Sequence, residues 1–265
     1  MKLNRILYFT PLTLVFGALF LSGCVKDTIS GSSSTFIPVE AKNSSLYFHY
    51  SVTTDPQSGT TGYNQFLTDL AAYDDTEVLA TITLGDVGGA NNDTIYDENT
   101  AMFGIVGVPF FQGNLDTFNL AEATAIHNIE PVAVNAAYEL EFGASEITIN
   151  TTTEFFQASS NEEFYLTPYL VVDSIVAFQE GHPDAGATNH RKVVVDVGRL
   201  NGHPARYLGY KVAGGTIDVG YKFNLQFTCE RLPAWTDEDK ISVALVLTKR
   251  DANGRPIFVN ANTNH

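Results

Sequence analysis

From residue 131 to its end the chain is written almost entirely in period two. The runs "VAVNAAYELEF" (132–142), "EITINTTTEFF" (146–156), "EFYLTPYLVVDSIVAF" (163–178), "HRKVVVDVGRL" (190–200), "GYKFNLQFTCE" (220–230) and "KISVALVLTK" (240–249) are rich in β-formers. Several alternate apolar and polar residues strictly, as in Phe223, Leu225, Phe227 and Cys229. Period two places one set of side chains on one face of a strand and cannot wrap a helix. Turn signals divide the runs: "FGAS", "EGHPDAG", "NGHP", "GG" and "DANGRP". Both residues of Asn253-Gly254 tolerate positive φ, which suits a tight hairpin. Strands that follow one another with no helix between them predict an antiparallel β-sandwich. Cys229 falls on the buried face of its strand, as a small apolar core residue.

Residues 46–130 keep a different rhythm. "LYFHYSV" (46–52) reads as a strand, and turn formers follow it in "TTDPQSGTTG". "YNQFLTDLAAY" (63–73) sets Phe66, Leu67, Leu70 and Ala71 at helical spacing. "EVLATITL" (77–84) is a strand apolar on both faces. "VGGANNDT" reads as a loop, "DENTAMFGI" as a short helix, and "NLAEATAIHNI" (119–129) as another helix. Strand–helix–strand order predicts partly parallel pairing through crossovers. The expected fold class is therefore α/β plus all-β: an α/β domain over 46–130, then an immunoglobulin-like antiparallel β-sandwich over 131–265.

The first 45 residues are of another kind. Lys2 and Arg5 precede an apolar run from Ile6 to Leu21 that closes in "LSGC". The run is short for a membrane span, and residues 1–23 read as a signal peptide. Leu21-Ser22-Gly23-Cys24 resembles a bacterial lipobox, which implies lipidation at Cys24 and anchoring in a membrane. Val25, not Asp, follows the cysteine and favours the outer membrane, on its periplasmic face or at the cell surface. Residues 24–45, with "SGSSST", are expected to be a flexible tether. The net charge of −15 excludes nucleic acid as a partner, because phosphates require lysine and arginine. It fits an acidic ectodomain held near a membrane by lipid alone.

One stretch, "FGIVGVPFFQGN" (103–114), resembles the part of a thioredoxin domain in which a proline turn closes a substrate groove. With "LYFHYSV", "VLATITLGD", "YLTPYLVVDSIVAFQ", "NHRKVVVDV" and "GRPIFVNA", the order of features resembles the outer-membrane-protein-28-related lipoproteins of Bacteroidetes. That resemblance covers nearly the whole mature chain. It implies a thioredoxin-like domain over 46–130 ahead of the sandwich, with Pro109 as a cis proline. It further implies that Val108 offers its backbone to an extended peptide, with Thr60 and Thr61 facing it. Thioredoxin-like members carry Cys-x-x-Cys before the first helix, where this chain reads "TTDPQSGTTGYN". Hydroxyls do not exchange with disulfides, so thiol–disulfide chemistry is excluded at this position.

The remaining candidates are weaker. His182, His190 and His203 cluster in sequence with Asp184, but their spacing matches no metal motif, and no metal or other cofactor is expected. The acidic stretches 74–75, 93–98, 162–163 and 237–239 lack a calcium pattern. Neither a phosphate loop nor a nucleophile elbow occurs. Tyr207, Tyr210 and Trp235 read as loop aromatics of the sandwich half. The expectation is a non-enzymatic, outer-membrane-anchored module for binding, adhesion or envelope assembly, with a protein or peptide partner. An accessory binding lipoprotein of a nutrient-uptake system is the alternative, and an unusual hydrolase comes third.

Overall fold

The computed structural model describes residues 35–87, 92–116, 119–128, 130–201, 203–207 and 209–263. Cys24, the signal peptide 1–23 and the tether up to residue 34 lie outside the described residues.

The front half builds β1 (Leu46–Val52), α1 (Tyr63–Tyr73), β2 (Val78–Leu84), α2 (Asn92–Phe103), β3 (Phe110–Gly113) and α3 (Leu120–His127). The helix α2 begins inside the stretch expected as a loop. Asp93 in its first turn accepts from the Gly85 N–H at 2.7 Å, holding the helix start against the end of β2. The helix α3 is capped by Asn119, whose side chain accepts from Glu122 N–H.

The rest is strand: β4 (Val134–Phe142), β5 (Glu146–Phe155), β6 (Ser159–Val172), β7 (Ile175–Ala177), β8 (Thr188–His190), β9 (Val193–Val197), β10 (Arg199–Leu200), β11 (Tyr210–Ile217), β12 (Lys222–Glu230), β13 (Ile241–Arg250) and β14 (Pro256–Asn262). The run expected as one strand over 163–178 breaks at Asp173–Ser174, where Ser174 takes φ +64°, and β7 leaves the sheet. The "GG" expected as a turn lies within β11, at register shifts against β6. Tyr210, expected in a loop, opens β11 and is buried, and its hydroxyl donates to the Pro204 carbonyl at 2.7 Å.

The fold is β-rich with several sheets. The large one runs β14-β13-β6-β9-β2-β1-β3, with β11 beside the first half of β6. A four-stranded sheet, β10-β12-β5-β4, packs on it, and β7 with β8 forms a separate two-stranded ribbon. β1 and β2 are parallel, as their helical crossover demands, and β1 and β3 are antiparallel. Strands from either side of residue 130 share the large sheet, joined where β2 meets β9 at Thr81 and Val193.

Alternation along the strands makes three apolar layers. Between the two main sheets lie Val134, Ala136 and Tyr138 of β4, with Ile149, Leu170, Val195, Phe227 and Val243. On the other face of the large sheet, Phe48, Ala80, Tyr169, Val194 and Val246 meet Ile95 of α2. Beside α1 and α3, Tyr47 and Leu79 pack on Phe66, Leu70 and Leu120.

Residues 35–45, expected as the end of the tether, are bonded to this body. Ile37 N–H donates to the Thr152 hydroxyl at 2.9 Å, Asn135 donates to the Glu40 carbonyl at 3.0 Å, and Ser44 N–H donates to Asn260 Oδ1 at 2.9 Å.

Candidate functional site

The end of β1 delivers the chain into the segment where the resemblance places a cysteine pair. Asp55 follows the strand and accepts from Ser58 N–H at 2.6 Å, starting a π-type turn over Ser58–Gly62 that runs into α1. Two glycines are demanded by close approach. A Cβ on Gly59 would sit 2.0 Å from the Glu180 carbonyl oxygen, and one on Gly62 would sit 2.6 Å from the Pro109 Cβ. The turn is thus clasped between the 179–182 loop and the proline loop.

The Val108–Pro109 bond is cis, the isomer the resemblance implies, and Gly107 precedes it at φ +89°. Val106 is 91% exposed and Val108 half-buried. The Val108 N–H has no hydrogen-bond partner among the described residues. Thr60 and Thr61 are both exposed on the turn, and the Thr60 hydroxyl donates to the Pro56 carbonyl at 2.9 Å. The Gly62–Pro109 contact therefore brings the Thr60–Thr61 turn next to Val108 and Pro109, leaving the main chain of 106–108 open beside it.

Beneath this contact lies a group with no obvious sequence signal. His49 points from β1 toward α1 and is stacked between Phe66 (5.3 Å) and Phe111 (4.8 Å). Both its ring nitrogens are buried without hydrogen-bond partners among the described residues. Burial, and secondarily the nearby His190, push its pKa down to about 3. His190 on β8 is also buried, its Nε2 likewise unpartnered, and burial lowers its pKa too. Both histidines line a small cavity of about 10 Å³ with Ser51, Thr81 and Gln179, room for about one water.

A strap covers this pocket. Gln179 places its amide nitrogen 3.1 Å from the Val52 carbonyl and 3.2 Å from that of Asp55, and Glu180 N–H donates to the Thr53 carbonyl at 2.8 Å. The Tyr63 hydroxyl donates to the Asn189 carbonyl at 2.9 Å, tying α1 to β8. The site so arranged offers open main-chain donors, exposed hydroxyls and a buried neutral imidazole. Cys229 lies in the core between the two main sheets, 1% exposed, its thiol pushed well up by burial.

His182 accepts from Asp184 N–H at 3.1 Å and sits edge-on to Tyr63, while His203 is exposed on a turn. Among the described residues no three His, Cys, Asp or Glu side chains converge as metal ligands. Trp235 is in a loop but 7% exposed, packed on the sandwich core. Among the described residues no helix is long and apolar enough to cross a membrane.

No family model matches the sequence, and no curated protein matches it. Among solved structures the fold is similar to HBP35 of Porphyromonas gingivalis, with a TM-score of 0.64 at 12% identity, over 86% of this chain and 76% of that one. Spo0M, a sporulation control protein from Bacillus subtilis, overlaps 50% of this chain and 47% of its own at a TM-score of 0.28 and 18% identity.

Proposed function

We propose that the chain is a lipid-anchored, non-catalytic binding protein of the bacterial outer membrane. Cys24 carries the lipid, and the front half is a thioredoxin-like domain turned from redox chemistry to holding an extended peptide. One observation carries the reading: the open main chain of Val106–Val108, with the unpartnered Val108 N–H leading into cis-Pro109, lies beside the exposed Thr60–Thr61 turn. A peptide backbone pairs with such a segment as a strand pairs with a sheet edge. Hydroxyls where thiols would stand leave binding without exchange. A fold shared with a Bacteroidetes protein supports the family resemblance behind this reading.

Two measurements test it. Capture of an envelope partner by the full chain is expected to be lost in Val108→Pro, which removes the open N–H; unchanged capture removes the groove from the proposal. Palmitate labelling and membrane retention are expected to vanish in Cys24→Ala, and labelling that persists removes the anchor.

A further inference from the structure

A second opening lies away from the proline loop. A cleft of about 660 Å³ separates β7 from the segment 234–240 and is lined by Val172, Val176, Phe178, Trp235, Asp86 and Lys240. That volume is in the range of ligand sites.

Three features define what fits. First, among the described residues β7 pairs only with β8, through Ile175–His190, Val176–Asn189 and Ala177–Thr188. In an antiparallel ladder, successive residues turn their N–H and C=O to opposite sides. The Asn189 carbonyl is taken by Tyr63, so Asn189 faces away from β7, and its opposite number Val176 turns its own N–H and C=O to the free edge. Second, Val176 and Phe178, two residues apart, are 66% and 50% exposed, an apolar strip with strand spacing. Across from them stands Trp235, 7% exposed, whose indole N–H has no hydrogen-bond partner among the described residues. Third, the exposed carboxylate of Asp86 has no ion-pair partner among the described residues, whereas Asp237 is held by Lys240 at 3.4 Å.

We propose that this cleft is a separate binding site for an extended peptide that adds as a strand to the free edge of β7. Its main chain pairs with Val176, an apolar side chain lies against Val176, Phe178 and Trp235, and a neighbouring lysine or arginine meets Asp86. An open edge calls for a strand, the exposed strip calls for alternating apolar residues, and the unpaired carboxylate calls for a cation. The site is independent of the proline-loop groove.

Trp235 is the single tryptophan of the chain and reports on the site directly. The full chain, purified in detergent, is titrated with a nonapeptide of alternating lysine and valine while tryptophan emission is followed. A saturable change in emission is expected. The same peptide N-methylated along one edge should bind about tenfold more weakly, as should Val176→Pro with the unmodified peptide, since each removes main-chain hydrogen bonding. Asp86→Asn should weaken binding severalfold and flatten its salt dependence. No saturable change overturns the proposal. So does binding by a wild-type chain that is indifferent to N-methylation, which means side-chain contact without strand addition. Binding that survives Val176→Pro but is lost in Val108→Pro belongs to the other groove and also overturns it.

Discussion

His49 shows how one residue can set a property of the whole protein. An imidazole stacked between Phe66 and Phe111 with no hydrogen-bond partner among the described residues is stable only while neutral. Its folded pKa, about 3, lies below the ordinary 6.5. Between those values the unfolded chain takes a proton that the folded chain refuses, so stability falls as pH falls through that window. It is unaffected above 6.5 and levels off below 3. The slope is about 1.4 kcal/mol per pH unit for one such group, and His190, lowered in the same direction, adds to it. Melting temperature should therefore drop measurably from pH 7 to pH 5. His49→Phe, which keeps the ring stack, should hold stability at pH 7 and reduce the acid loss; an unchanged pH dependence in that variant would show that His49 is not its source. The sequence carried almost no sign of this. A histidine in "LYFHYSV" reads as an ordinary strand residue, and its isolation depends on rings brought to it from α1 and β3.

At the scale of elements, the strap from Phe178 to His190 matters most. It is irregular apart from a short 3₁₀ turn and β8, and reads in the sequence as a turn, "EGHPDAG". In the structure it closes the pocket over His49. Gln179, 2% exposed, serves several carbonyls of the β1–α1 connection at once. The Val52, Thr53 and Asp55 carbonyls each keep a backbone donor in Gln179→Ala, from Asp55, Glu180 and Gly59 N–H, so the variant removes only the side-chain hydrogen bonds, at about 0.5–1.5 kcal/mol for each. Amide hydrogen exchange at Val52–Ser58 should rise selectively, with the sandwich strands unaffected; a uniform rise throughout the chain would contradict the strap's local role. Regular elements were far more legible. The helix α1 and the strand β1 fall where periodicity put them, because local spacing and burial agree there. The break after β6 was hidden because "VVDSIVAF" is β-forming on both sides of Ser174. The residue that ends the strand does so through a left-handed backbone that its side chain does not announce.

The whole molecule is tied together by the large sheet. β2 and β9 share one register pair, Thr81 with Val193, supported by Thr81 N–H donating to the Lys192 carbonyl at 2.8 Å. The apolar layer against that sheet is wider than its seam. Phe48 meets Tyr169 edge-on at 5.4 Å, and Val194 and Val246 join Leu46 and Ala80 in one cluster. Residues 46–130 made alone would keep α2 on that face but lose the strands that continue it, with Tyr169, Val194 and Val246, and so leave the β2 edge of the sheet open. Calorimetry of the full chain should give one cooperative transition, and the 46–130 fragment should show none; two resolved transitions would mean that the halves are energetically separate.

Spacing and composition alone place β1, α1, β2 and α3 and the strands β4, β5, β12 and β13, and show that no Cys-x-x-Cys precedes α1. Each is written in spacing or composition within a dozen residues. It takes the assembled fold to show that strands of both halves join one sheet, that a loop from the second half caps the first helix, and that among the described residues one edge of β7 stays unpaired. The first two rest on contacts between residues a hundred or more positions apart, and the third on what the rest of the chain leaves uncovered. Local periodicity says which face of an element is apolar but not what will cover it.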